Sequence, residues 1–231
     1  MTTISTAATT TAIPSADRGR RARRIAAGSS IIGAGVLTLA GYLTAPWEGG
    51  ATQAEYIRSL TDHPTSSMLS MILLHFGYLL LVPTAFVLAR LARRRAPWLA
   101  GIGLAFAVLG SGLSAVVLTD AYDLSLGQHL TMAQALGVES GMSVAGFVAI
   151  GLTSTVGTVV GSVLLMAAMW RATWTSWLPG VATLAGWVVA YGAHDFLRAC
   201  TGAALITIGL VAVGVRVLRS SDEQFATGIP A

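Results

Sequence analysis

The chain has 231 residues, of which 54% are hydrophobic and only 10% charged, and its mean hydropathy is +0.71. A soluble domain carries about a quarter charged residues, so this composition excludes an ordinary water-soluble globule and calls for lipid as the solvent. The net charge of +4 does not indicate nucleic acid, because all fourteen basic residues are arginines grouped in short clusters between apolar runs.

Residues 1–24 read as a disordered basic tail, rich in Thr, Ala and Ser and ending in Arg18, Arg20, Arg21, Arg23 and Arg24. This cluster resembles a twin-arginine export signal, but the apolar run 25–46 is 22 residues long, which suits a membrane span better than a cleaved signal core. Residues 47–65 form a polar connection with Glu48, Glu55, Asp62 and His63. A second span covers 66–89, contains His75, Tyr78 and Pro83, and is closed by Arg90, Arg93, Arg94 and Arg95. The third span covers 98–118. Residues 119–142 form an acidic connection with Asp120, Asp123, His129 and Glu139, in which Leu126, Leu130, Met132, Ala135 and Leu136 suit one side of a short helix lying on the membrane. Further spans are read over 143–170, 177–193 and 199–218, so the membrane domain covers 25–219 and 220–231 form a loose polar tail.

The expected fold is therefore an all-α integral membrane bundle of six transmembrane helices. Six crossings put both termini on one side, and that side carries twelve of the fourteen arginines; the other holds only Arg58 and Arg198. By the positive-inside rule the arginine-rich side, and with it both termini, is cytoplasmic. The acids run the other way, with Glu48, Glu55, Asp62, Asp120, Asp123, Glu139 and Asp195 facing out. Small residues at four-residue spacing, Gly157 with Gly161 and Gly110 with Ser114, mark faces where helices approach closely. The two halves show no repeat, so an inverted-repeat transporter has no support.

Titratable groups gather at the outer face. His75 lies nine residues into its span, about 13 Å deep at about 1.5 Å per residue. A polar group at that depth marks either a functional site or a neutral histidine bonded to a backbone carbonyl. Asp120 and Asp123 are three apart and share a helix face, so their pKa values can split into an acid and a base; alternatively both are solvated at a helix end. Trp187, Tyr191, His194 and Asp195 form one stripe, either an aromatic belt ending in a turn or one wall of an outward-facing cavity shared with His75 and Asp120. No metal is expected, because His63, His129 and His194 lack partners at ligand spacing, and Cys200 is a lone thiol that excludes an internal disulfide. No cofactor motif is present either.

The stretch running from Leu-Leu-His-Phe-Gly-Tyr at 73–78 through Leu-Ala-Arg-Leu-Ala-Arg-Arg-Arg at 88–95 to Leu-Thr-Asp-Ala-Tyr-Asp at 118–123 resembles uncharacterised small membrane proteins of actinobacteria. In size and low charge the chain also resembles the small integral-membrane terpene cyclases. The second likeness implies proton-initiated cyclisation or isomerisation of an isoprenoid, with the bilayer and an apolar small molecule as partners. In that reading Asp120 or Asp195 is the catalytic acid and His75 tunes or accepts the proton. Tyr78, Trp187, Tyr191, Asp123 and His194 then line the substrate. The contrasting expectation is a non-catalytic membrane protein that binds lipid, serves a partner or assists export; a proton-coupled transporter ranks below both.

Overall fold

A computed structural model describes residues 15–46, 53–122, 133–134, 146–191 and 195–230. Among these residues the chain is helical throughout, with no strand. The helices are α1 (Ser15–Thr44), α2 (Gln53–Asp62), α3 (Pro64–Ala92), α4 (Pro97–Tyr122), α5 (Thr153–Arg171, preceded by a wider π turn over Phe147–Leu152), α6 (Leu178–Tyr191), α7 (Phe196–Arg219) and α8 (Asp222–Thr227). α3 and α4 each begin on a proline, which has no amide hydrogen to leave unpaired in the first turn.

α1 lies between α3 and α7, α4 lies between α3 and α5, and α6 covers α7 and touches α5, so the long helices close into a ring. Neighbours along the ring run antiparallel. Gly28 meets Gly214 and Leu218 near one end of α1, while near the other end the Cys200 thiol lies 3.7 Å from the Tyr42 carbonyl. Small residues make the closest approaches. Gly110 sits against Gly157 and Thr158, Gly161 against Ala107, and Ser114 against Ser154 and Thr158, so both small-residue pairs read from the sequence lie in the α4–α5 seam. Hydroxyls add cross-helix bonds: Ser70 donates to the Gly41 carbonyl at 2.8 Å, and Thr207 to the Gly35 carbonyl at 2.8 Å. Such bonds contribute about 0.6 kcal/mol each in lipid, so close packing carries most of the association.

The outside of the bundle is apolar. Phe76, Phe86, Leu109, Val188 and Ile208 are all exposed. In water so broad an apolar surface would be a liability, whereas in a bilayer it is the solvated face. Five helices are long and apolar enough to cross a membrane. The sixth expected span, 177–193, corresponds to α6, which is apolar but has only 14 residues. At about 1.5 Å per residue it reaches about 21 Å, short of the roughly 30 Å hydrocarbon core.

Three stretches depart from the sequence reading. Arg18 to Arg24 belong to the first three turns of α1 instead of a disordered tail, because Ala and Arg favour helix and Arg24 is anchored to Asp222 at 2.7 Å and to the Leu218 carbonyl. The polar connection over 47–65 contains α2, whose Leu60 carbonyl accepts from Ser67 on α3 at 2.9 Å. Within the tail, residues 220–230 are ordered. Ser221 and Gln224 form a capping box, Gly228 closes the helix with a left-handed backbone, and Phe225 is buried beside α1 and α3. The loop before α6 joins this end, with the Trp174 indole donating to the Gly228 carbonyl at 3.2 Å and Arg95 to the Thr173 hydroxyl at 2.6 Å. The start of α1 and the end of α7 therefore share one end of the bundle. The acidic connection over 119–142, with its expected surface helix, falls almost wholly outside the described residues.

Candidate aromatic and hydroxyl site

At the other end of the bundle, α1, α3, α5 and α6 each direct a hydroxyl to a common centre. Tyr78, buried on α3, brings its hydroxyl into the neighbourhood of the Tyr42 hydroxyl of α1 and the Tyr191 hydroxyl of α6. Thr155 of α5 lies near the Tyr191 hydroxyl. The rings pack as well. Trp187 and Tyr191 stack with centroids 5.5 Å apart and planes 21° apart, and Tyr78 meets Trp187 at 6.1 Å, tilted by 46°. Tyr191 and Trp187 are four residues apart on α6, which places them on one face. Trp187 is 1% exposed, while Tyr191 is 42% exposed and forms the outer end of the stack.

One group in this cluster is out of balance. The Trp187 Nε1–H is buried and has no acceptor among the described residues. A buried unpaired N–H is rare, and its desolvation costs about 1–3 kcal/mol. The hydroxyls of Thr84 and Ser111 are the other buried side-chain groups without a partner among the described residues.

Three of the residues expected at the site thus meet: Tyr78, Trp187 and Tyr191. Tyr42 and Thr155 join them without having been singled out from the sequence. A tyrosine at the end of the first span reads there as an interfacial ring, and Thr155 as one small residue among many.

The other candidates take different positions. His75 lies near the α3–α4 seam, with its Nδ1 3.1 Å from the Ala115 carbonyl. A carbonyl can only accept, so Nδ1 carries the proton. Of the two readings open for His75, this contact matches the backbone-bonded one. Asp195 caps α7: its carboxylate accepts from the Arg198 amide at 2.9 Å and lies 3.3 Å from the Arg198 guanidinium. Both carboxylate oxygens are thus engaged as acceptors at the start of α7. Asp120 belongs to the last turn of α4, but its side chain lies outside the described residues, as do Asp123 and His194. Among the described residues no cluster of three His, Cys, Asp or Glu side chains is placed to hold a metal ion.

No family model matches the chain, and neither a curated protein nor a solved structure matches it. The likenesses to actinobacterial membrane proteins and to terpene cyclases therefore rest on sequence pattern and architecture alone.

Proposed function

We propose that the chain is a six-span membrane protein that holds an uncharged, lipid-like molecule in the outer half of the bilayer, with an acceptor oxygen of that molecule on the Trp187 indole. The orphaned Nε1–H carries this reading. In hydrocarbon no water is at hand to satisfy it, so an oxygen-bearing apolar ligand is the natural acceptor. The partly exposed Tyr191 offers a way in from the lipid beside the stack.

The six-span count is supported by the shared end of α1 and α7, marked by the Arg24–Asp222 pair, which an even number of crossings produces. α6 then serves as a short sixth crossing, extended by the flanking Trp177. The arginine clusters gather at that same end, which argues for a cytoplasmic location.

The most specific form of the reading is an intramembrane cyclase or isomerase of an isoprenoid, with Asp120 as the acid. Tyr78, Trp187 and Tyr191 supply ring faces suited to a cationic intermediate. The experiment is mass spectrometry of lipid extracts from hosts that make linear isoprenoids and their epoxides, together with the molecules that copurify with the chain. The expected result is an apolar oxygen-bearing molecule enriched with the wild type and lost with Trp187→Phe. A product of unchanged mass, absent with Asp120→Asn at equal protein level, identifies the enzyme. Identical copurifying profiles for wild type and Trp187→Phe contradict the binding site itself.

A further inference from the structure

Where the loop before α6 meets α7, a groove of about 670 Å³ lies at the arginine-rich end of the bundle, and we propose that it holds the headgroup and upper chain of an anionic phospholipid. Its lining includes Trp170 at the end of α5, Thr175, Ser176 and Trp177 of the loop, and Ala212 and Arg216 of α7. The volume falls within the roughly 300–1,000 Å³ typical of small-molecule sites.

The groove follows from two helix lengths. α6 has 14 residues and α7 has 24. The Pro179 carbonyl, in the first turn of α6, lies against Gly209, and α7 then runs on to Arg219, about 15 Å further. Ala212 and Arg216 stand on this stretch that α6 does not cover. They are four apart, so they share a face, and both are exposed.

The two ends of the groove differ in chemistry. Arg216 forms no ion pair among the described residues, and no acid is among the described lining residues. Thr175 and Ser176 bring hydroxyls that make no hydrogen bond among the described residues. A guanidinium grips a phosphate through two parallel hydrogen bonds, and hydroxyls can donate to its other oxygens. Toward the bilayer centre the surface turns apolar: Ala212 is followed one turn further in by the exposed Ile208, a path suited to an acyl chain. Trp170 and Trp177 are both exposed beside it, as indoles are at the level of lipid headgroups. A soluble phosphate would use only the polar end, whereas a phospholipid fits both. A cation that no acid neutralises favours a lipid of net negative charge.

The loop wall is built in advance of any ligand. Thr173, which also lines the groove, holds a left-handed backbone at φ 61°, a costly conformation for a β-branched residue. Its hydroxyl accepts from Arg95 at 2.6 Å and donates to the Ala172 carbonyl at 2.7 Å. Trp174 fixes the next position, its amide donating to the Met169 carbonyl at 3.0 Å and its indole to the Gly228 carbonyl at 3.2 Å. A wall held by these bonds has little ordering left to lose on binding.

The test follows thermal unfolding of the full, delipidated chain in mild detergent, with phosphatidylglycerol, phosphatidylcholine or inorganic phosphate added. Phosphatidylglycerol should raise the wild-type Tm by about 2–4 °C, and the other two should raise it by less than half as much. Arg216→Gln should lose at least half of the rise. Arg219→Gln, with the same charge change on the same helix but outside the groove, should keep it. Ala212→Phe fills the groove at an exposed position and leaves every charge in place, so it should lose the rise as Arg216→Gln does. A full rise in Arg216→Gln and Ala212→Phe, or an equal loss in Arg219→Gln, overturns the site. An equal rise with inorganic phosphate overturns the lipid as occupant, and an equal rise with phosphatidylcholine overturns the selection by charge.

Discussion

Asp195 and Trp187 show how differently two residues of one sequence stripe are used. Asp195 has its oxygens occupied by the Arg198 amide and guanidinium, so its role is to start α7. Asp195→Ala should destabilise the chain by about 1 kcal/mol, the usual cost of a lost cap, whereas Asp195→Asn should change it little, because asparagine caps equally well. Reversible unfolding in detergent measures both. Equal losses for the two variants would show that charge matters here and capping does not. Trp187 has the reverse problem, a donor with no acceptor among the described residues, held by a stack that leaves it little freedom to turn away. That Trp187 and Tyr191 share a face was legible from helical spacing, whereas Asp195 lies beyond α6 as the extended cap of α7 and His194 lies outside the described residues. Which residues face inward was not legible, because that depends on α3 and α1 supplying Tyr78 and Tyr42.

At the scale of elements, the α4–α5 seam is set by absence of side chains. A methyl on Gly110 would overlap the Thr158 backbone nitrogen, and one on Gly161 would overlap Ala107. Gly110→Val should therefore cost about 3 kcal/mol, toward the upper end for overpacking, because backbone cannot move aside as a side chain can. On the same helix, a Cβ at Gly101 or Gly112 would meet nothing within 4 Å. Alanine at either should be neutral or stabilising by up to about 1 kcal/mol, since glycine is the poorer helix former. The same unfolding measurement compares the three, and a mild Gly110→Val would contradict the seam. These faces were readable because small residues at four-residue spacing have one main use in lipid. α2 and α8 were not readable for the converse reason. α8 has six residues, too few for a periodic pattern, and is held by one buried ring, one capping box and the Arg24–Asp222 pair. Arginines spaced through 18–24 look like a solvated tail until Asp222, about 200 residues later, is brought beside them.

For the whole molecule, composition and hydropathy sufficed for an all-helical bundle with apolar, membrane-length helices. They did not give the length of α6, since the apolar run over 177–193 continues past the point where the helix described ends at Tyr191. The proposed orientation has a direct readout. With Cys200 replaced by Ala, a cysteine at Thr61 should label from outside intact cells and one at Arg94 only after permeabilisation, and the reverse pattern would invert the bundle. The molecule has two dissimilar ends: one rich in arginine and fastened by α8, and another where rings and hydroxyl-bearing side chains from four helices gather around an unsatisfied indole. The measurement that bears most directly on the second is the 15N–1H resonance of the Trp187 indole in the tryptophan-labelled chain in nanodiscs, assigned by its loss in Trp187→Phe. Stripped of host lipid, the site should show an N–H free of hydrogen bonding. Restoring the apolar fraction of the host extract should move that resonance downfield while the other five tryptophans stay in place. A Trp187 resonance unmoved by every fraction would contradict the account.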